Sequence, residues 1–223
     1  MSAALAAPLA EWLPVWLAAG LPAPHLSVVP IEGADLDRDL VERMRRGDRR
    51  AFDELFRRHA DEVYRRLTHL IGPDPEREDL VQEIFLSAYR GLDRFRGDAR
   101  FSTWLHKVVI NSAFGHLRKK KRRPLGEDNS LTWERLIAPG GSPEAQADQR
   151  QALIRAMGYL DRLKPKKRIA FVLRVVEDLP LADIATLVDA TPAAVGQRVK
   201  HAQAELEAMV QRDQLRHERR GNA

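Results

Sequence analysis

From about residue 37 onward, hydrophobic side chains recur at intervals of three and four, and the chain reads as a series of amphipathic helices. Asp37 or Asp39 can cap a first helix running through Met44, and Gly47 with Asp48 then makes a break and a new cap. The next run, AFDELFRRHADEVYRRLTHLIG, places Phe52, Leu55, Phe56, Val63, Leu67 and Leu70 at helical spacing, and Gly72 with Pro73 stops it. In EDLVQEIFLSAYRGLDRF, Leu80, Ile84 and Ala88 with Val81, Phe85 and Leu92 form a buried stripe. Asp79, Gln82, Glu83 and Arg90 of the same run face outward. Arg96, Gly97 and Asp98 read as a loop, and Ser102 or Thr103 caps the helix that carries FSTWLHKVVINSAFGHLRKKKRR.

The pattern lapses over residues 124–148, where Pro, Gly, Ser and acidic side chains give linker composition, with Trp133, Leu136 and Ile137 apolar enough to dock somewhere. A second helical unit occupies residues 149–212. QRQALIRAMGYLDRL makes one helix, and Pro165 starts another through FVLRVVED. A short helix follows, then a turn near Asp189–Ala190, then a helix opened by Thr191 as cap and Pro192 at its first position. That succession is a helix-turn-helix, a shape sized for the major groove. The expected fold is all-α: two small helical domains, residues 38–123 and 149–212, joined by an acidic, Pro/Gly-containing linker, the second containing the helix-turn-helix. Residues 213–223 read as a basic tail.

Residues 1–37 fit neither domain. The segment lacks a basic start, carries Glu11 and is broken by Pro8, Pro14, Pro22 and Pro24, which is not the build of a secretory signal. It reads as a largely disordered extension with one short helix around Trp12 and Trp16; a partner-docking segment and an overlong start both fit it.

Charge sharpens the division. Residues 1–37 carry no Lys or Arg and 4 acidic side chains, residues 38–123 carry 22 basic and 14 acidic, residues 124–148 carry 1 and 5, and residues 149–223 carry 14 and 9. Two net-basic blocks flank an acidic stretch, a distribution suited to a polyanionic partner and also compatible with ordinary solvated helix faces. The chain has no cysteine, which excludes disulfide frameworks, thiolate zinc sites and cysteine nucleophiles.

Placed at about 100° per residue, Lys107, Asn111 and Arg118 fall within roughly 40° of one another, with Trp104 about 20° beyond. Leu105, Val108, Val109 and Ala113 take the opposite face. Cations neutralise phosphates, an aromatic face stacks on an unpaired base, and asparagine bonds a base edge. Trp104 fits equally well as a core residue at the domain edge, Asn111 as a surface amide, and the cations from Arg118 to Arg123 as a solvated helix end. In the last helix Val195, Val199, Ala202, Leu206 and Met209 form the apolar stripe. Ala193, Gly196, Gln197, Lys200 and Ala204 point away from it, with Arg198 and His201 on the flanks. That face is poor in long donors, which implies modest intrinsic DNA affinity.

EREDLVQEIFLSAYRGLDRFRGDARFSTWLHKVVIN and DLPLADIATLVDATPAAVGQRVKHAQAEL together resemble an extracytoplasmic-function (group IV) sigma factor of bacterial RNA polymerase. The likeness runs from about Leu40 to Met209 and is most specific in its first stretch. It implies a cytoplasmic initiation factor of two domains. The first would grip the clamp of core polymerase and read and melt the −10 element. The second would sit on the polymerase flap and contact the −35 element. On this likeness Asp79, Gln82, Glu83 and Phe85 match the polymerase-binding helix. Arg96, Asp98, Arg100, Phe101, Ser102 and Thr103 match the region that captures a flipped −10 base. Trp104, Lys107, Asn111, Arg118 and Lys119 continue onto the strand-binding helix, and Gln197, Arg198, Lys200 and His201 match the −35 contacts. The linker would thread near the RNA-exit path, and an anti-sigma factor would be a further partner. Two departures stand out: Gly115 where many relatives carry Asp, and Ala193, Ala194, Gly196 and Gln203 on the recognition helix.

No GxxxxGK[ST], HExxH or GxSxG pattern is present, so the sequence gives no enzyme signature. Asp74, Glu76, Glu78 and Asp79 read as a helix start favoured by its dipole rather than a metal site. No catalytic residue, metal, cofactor or small-molecule substrate is expected. The competing reading is a stand-alone helix-turn-helix regulator, which would bind duplex DNA tightly without polymerase.

Overall fold

The computed structural model describes residues 34–72, 74–92, 95, 97, 99–122 and 154–221. The extension before residue 34, the linker, and the loop residues Arg96 and Asp98 lie outside the described residues. Those described form helices and turns, with no strand among them, and the chain divides into two compact units.

The first unit holds α1 (Ala34–Arg45), α2 (Arg49–Ile71), α3 (Arg77–Gly91) and α4 (Phe101–Lys120). The punctuation between α1 and α2 follows the sequence: Gly47 takes φ 91°, and the Asp48 carboxylate accepts a hydrogen bond from the Arg50 backbone N–H at 3.0 Å. Gly72 ends α2 at φ 81°, its N–H donating to the Thr68 carbonyl at 2.8 Å. The core draws Leu40, Val41 and Met44 from α1 and Leu55, Val63, Leu67 and Leu70 from α2. It adds Leu80, Ile84, Phe85 and Ala88 from α3, and Leu105, Val109, Ile110 and Ala113 from α4.

Two capping expectations are corrected. Asp37 lies inside α1, not at its start, and its buried carboxylate accepts from Arg58 of α2. Likewise α4 begins at Phe101, with Arg100 as its cap and no side-chain cap bond. Phe101 is buried against Phe95, their ring centroids 6.0 Å apart. Seating that ring draws the helix start ahead of Ser102 and Thr103, so both fall in the first turn.

The second unit holds α5 (residues 154–162), α6 (Pro165–Phe171), α7 (Leu181–Leu187) and α8 (Pro192–Gly221). Beyond α6 the backbone widens into a π-turn over Val172–Val176, where the Glu177 N–H reaches the Val172 carbonyl at 3.0 Å. The sequence reading carries this stretch as plain helix. The helix-turn-helix forms as its signals require. Asp189 turns the chain at φ 48°, and the Thr191 hydroxyl accepts from the Ala194 N–H at 3.2 Å with Pro192 opening α8. Val195, Val199, Ala202 and Leu206 are buried as the periodicity predicts, while Met209 is half-buried. The helix continues to Gly221, beyond residue 212 where the sequence reading ends the domain.

Candidate functional site

Burial sorts the residues of α3 into two sides. Asp79, Gln82, Glu83 and Arg90 are exposed. Phe85, expected among the polymerase contacts, is buried and packs on Phe56, ring centroids 4.5 Å apart, beneath the outer face. Two large apolar residues on the open side went unnoticed in the sequence. Leu86 is 50% exposed and Tyr89 49%, the Tyr89 ring meeting Phe52 edge-on at 5.1 Å. Helical phase was the available signal, since Leu86 falls between Gln82 and Asp79 on the wheel.

On α4, Thr103, Asn111, Arg118 and Lys119 are exposed, and Lys107 is half-buried. Arg100, just before the helix, is exposed as well. The Arg118 guanidinium sits 5.6 Å from the centroid of the Phe114 ring. Phe101 and Ser102, expected among the DNA contacts, are buried in the unit. Trp104 is half-buried, its ring 5.3 Å from that of Phe95 and 5.7 Å from that of Phe101. Part of the ring therefore packs at the domain edge, and the rest stays open to solvent. Gly91 makes that seat: a Cβ there would meet Trp104 Cζ2 at 3.1 Å. By contrast nothing lies within 4 Å of a Cβ added at Gly115, so packing does not require that glycine.

Each half of α4 is fastened to the rest of the unit by a histidine. Near its start, His106 Nε2 lies 2.7 Å from Glu62 Oε1 of α2. The other Glu62 oxygen is 3.9 Å from His59 Nδ1, and His59 Nε2 is 3.1 Å from Asp37, which also binds Arg58 at 3.1 Å. Near its end, His116 Nε2 lies 2.9 Å from Asp74 and Lys120 reaches the same carboxylate at 3.4 Å. Burial works against the charged form of His59, yet its bonds to Asp37 and Glu62 raise its pKa to about 9. Burial likewise opposes charge on Glu62, but hydrogen bonds from His106 and His59 hold it well below the usual carboxylate range. For Asp74, burial is outweighed by the His116 bond and by Lys120, and its pKa falls to about 2. The sequence carried a sign of this brace: His59 lies four residues from both Leu55 and Val63, within the apolar stripe of α2.

In the second unit, Gln197, Lys200 and His201 are exposed and Arg198 is half-buried, on the side of α8 away from the stripe. Leu181 Cδ1 would be 3.6 Å from a Cβ at Gly196, ordinary contact that alanine would tolerate. Among the described residues no cluster of His, Cys, Asp and Glu could hold a metal ion, and no helix is long and apolar enough to cross a membrane.

The family model of sigma-70 region 2 matches residues 55–123, and that of sigma-70 region 4 matches residues 150–206. The RNA polymerase sigma-H factor of Pseudomonas aeruginosa is 33% identical over 183 residues, covering 78% of this chain and 94% of that protein. The ECF RNA polymerase sigma-E factor of Escherichia coli K12 is 32% identical over 184 residues with the same coverage. Among solved structures, CnrH in complex with the cytosolic domain of CnrY shares the fold at a TM-score of 0.54 and 24% identity, covering 79% of this chain and 98% of that one. A region 2 match over the first unit is foreign to a stand-alone helix-turn-helix regulator, and that reading is set aside. With both regions in order and relatives matched almost end to end, the chain belongs to the extracytoplasmic-function sigma factors, which direct RNA polymerase to promoters.

Proposed function

We propose that this sigma factor, working in the cytoplasm, attaches to the clamp of core RNA polymerase through the open face of α3. It then melts and holds the −10 element along α4, and meets the −35 duplex with the first turns of α8 while the second unit rests on the flap. The observation that carries the reading is the face of α3. Asp79, Gln82, Glu83 and Arg90 surround Leu86, with Tyr89 beside it, so a polar rim encloses two large apolar side chains that each stay about half exposed. Protein interfaces have that anatomy, and nucleic acid would not favour the acids. Along α4 the exposed amide of Asn111 and the cations of Arg118 and Lys119 suit an opened strand. Arg100 and Thr103 flank the helix start where a base would be captured; Arg96 and Asp98 belong to the same proposal by family likeness alone.

CnrH was solved with the cytosolic domain of CnrY. By analogy, a regulatory protein of the anti-sigma kind would cover the α3 face and withhold this chain from polymerase. The reading needs no cofactor. Mixing the purified chain with bacterial core polymerase on a fragmented genomic library, and mapping the starts, tests it. Initiation at a discrete set of promoters is expected; absence of any start dependent on the added chain would overturn the proposal.

A further inference from the structure

The Arg58–Asp37–His59–Glu62–His106 chain is a relay of alternating charge that crosses three helices and ends on α4 beside Lys107. Its inner members are sheltered: the His59 side chain is 3% exposed, that of Asp37 5%, of His106 17% and of Glu62 21%. The His59 ring also faces Phe101 at 5.5 Å, and Phe101 packs on Trp104. The relay therefore touches the first two turns of α4 twice, by charge through His106 and by ring contact through Phe101. None of its members lies on the α3 face proposed to meet polymerase.

Resting on the proposed role of α4, we propose that Glu62 and His106 are positioning residues for promoter opening. Their ion pair fixes the rotation and height of the first turns of α4, so that Lys107 and Asn111 meet the separated strand in register. Neither side chain needs to touch DNA. Relay members cooperate because each charge neutralises the next; with His106 removed, the Glu62 carboxylate keeps within the relay the longer 3.9 Å approach of His59. A helix end held this way has one preferred seat, whereas apolar packing alone tolerates sliding. The relay thus acts on the step that demands accurate placement and spares the step that depends on α3.

A double-mutant cycle on the full chain separates placement from fold. Glu62→Ala, His106→Ala and the double variant are compared with the parent for melting temperature, for affinity toward core polymerase, and for the rate of opening of a promoter carrying 2-aminopurine in its −10 element. Each single variant is expected to slow opening by about fivefold or more, with core affinity within about twofold of the parent. The double variant should be no slower than the worse single one, because the pair is already broken. His106→Lys, which keeps a cation opposite Glu62, should recover most of the rate, and Glu62→Gln, which keeps only a neutral acceptor, should recover less. If Glu62→Ala fails to fold, His106→Ala carries the test alone. Folded variants that open promoters at the parental rate would overturn the inference, as would opening and core affinity falling together. Should the parent itself open no promoter with core polymerase, it is the proposed function that fails, before any variant is compared.

Discussion

The two units keep their polar groups in different places. Of the eleven buried polar or charged side chains among the described residues, nine lie in the first unit, and only Arg168 and Glu177 lie in the second. The outer faces reverse the contrast. The first unit presents Leu86, Tyr89, Asn111 and Arg118, whereas the side of α8 away from its stripe begins with Ala193 and carries Gln197, Lys200 and Ala204. In the first unit the sheltered pairs Glu62–His106 and Asp74–His116 tie α4 to its neighbours at set atoms. The second unit is built mainly from apolar packing, behind a plainer surface on that side of α8.

The contrast breaks most visibly at the α3 face. Leu86→Asp puts a charge at the centre of the apolar patch. It should weaken association with core polymerase by about 2 kcal/mol or more, the range of an interface hot spot. Because Leu86 is exposed, the stability of the unit should change by no more than about 0.5 kcal/mol. Titrating labelled chain with core polymerase, alongside a thermal melt, measures both. Unchanged affinity would remove α3 from the interface and leave the open apolar patch without a partner.

A second way to sharpen it uses protons. His59 has its pKa raised from 6.5 to about 9, so its contribution is complete below pH 6.5 and is lost as pH rises through 9. Glu62 and Asp74 are depressed, so theirs is complete above about pH 4.5 and is lost as pH falls, for Asp74 toward about 2. The first unit should accordingly be most stable between pH 4.5 and 6.5. In the second unit Tyr159 is raised from 10.0 by burial and by its bond to Asp213, outside this range. Calorimetry at pH 6 and pH 9.5 should show the transition of the first unit falling by several degrees more than that of the second. Equal shifts would mean that the buried charges do not set the difference.

Much of this was legible in the sequence, and the failures share a cause. Gly47–Asp48, Gly72 and Thr191–Pro192 announced their breaks because each rests on local backbone chemistry. The stripes of α2, α3 and α8 followed from period alone. What escaped depends on neighbours distant in the chain. Asp37 reads as a cap until His59 and Arg58 are brought to it, and the packing of Trp104 on Phe95 over Gly91 could be offered only as one of two readings. Leu86 and Tyr89 were passed over for the opposite reason: an apolar residue invites the assumption of burial, and here both stay about half exposed.

The smallest effect belongs to α8. Lys200 is exposed on the face away from the stripe, at a position suited to a phosphate. A lysine–phosphate contact releases about one counterion, so Lys200→Ala should lower the slope of log affinity against log salt by about one while weakening all promoters alike. Gln197→Ala should behave differently. If Gln197 reads a base edge, its loss costs about 1–3 kcal/mol on cognate −35 sequences and little on others. With no long donor at Ala193, Ala194, Gly196 or Ala204 to help it, the lower end of that range is expected. Measuring holoenzyme binding to promoters with matched and scrambled −35 elements across a salt series separates the two. If scrambling costs the parent nothing, the second unit anchors by charge alone, and the promoters this sigma factor chooses are selected almost wholly by its first.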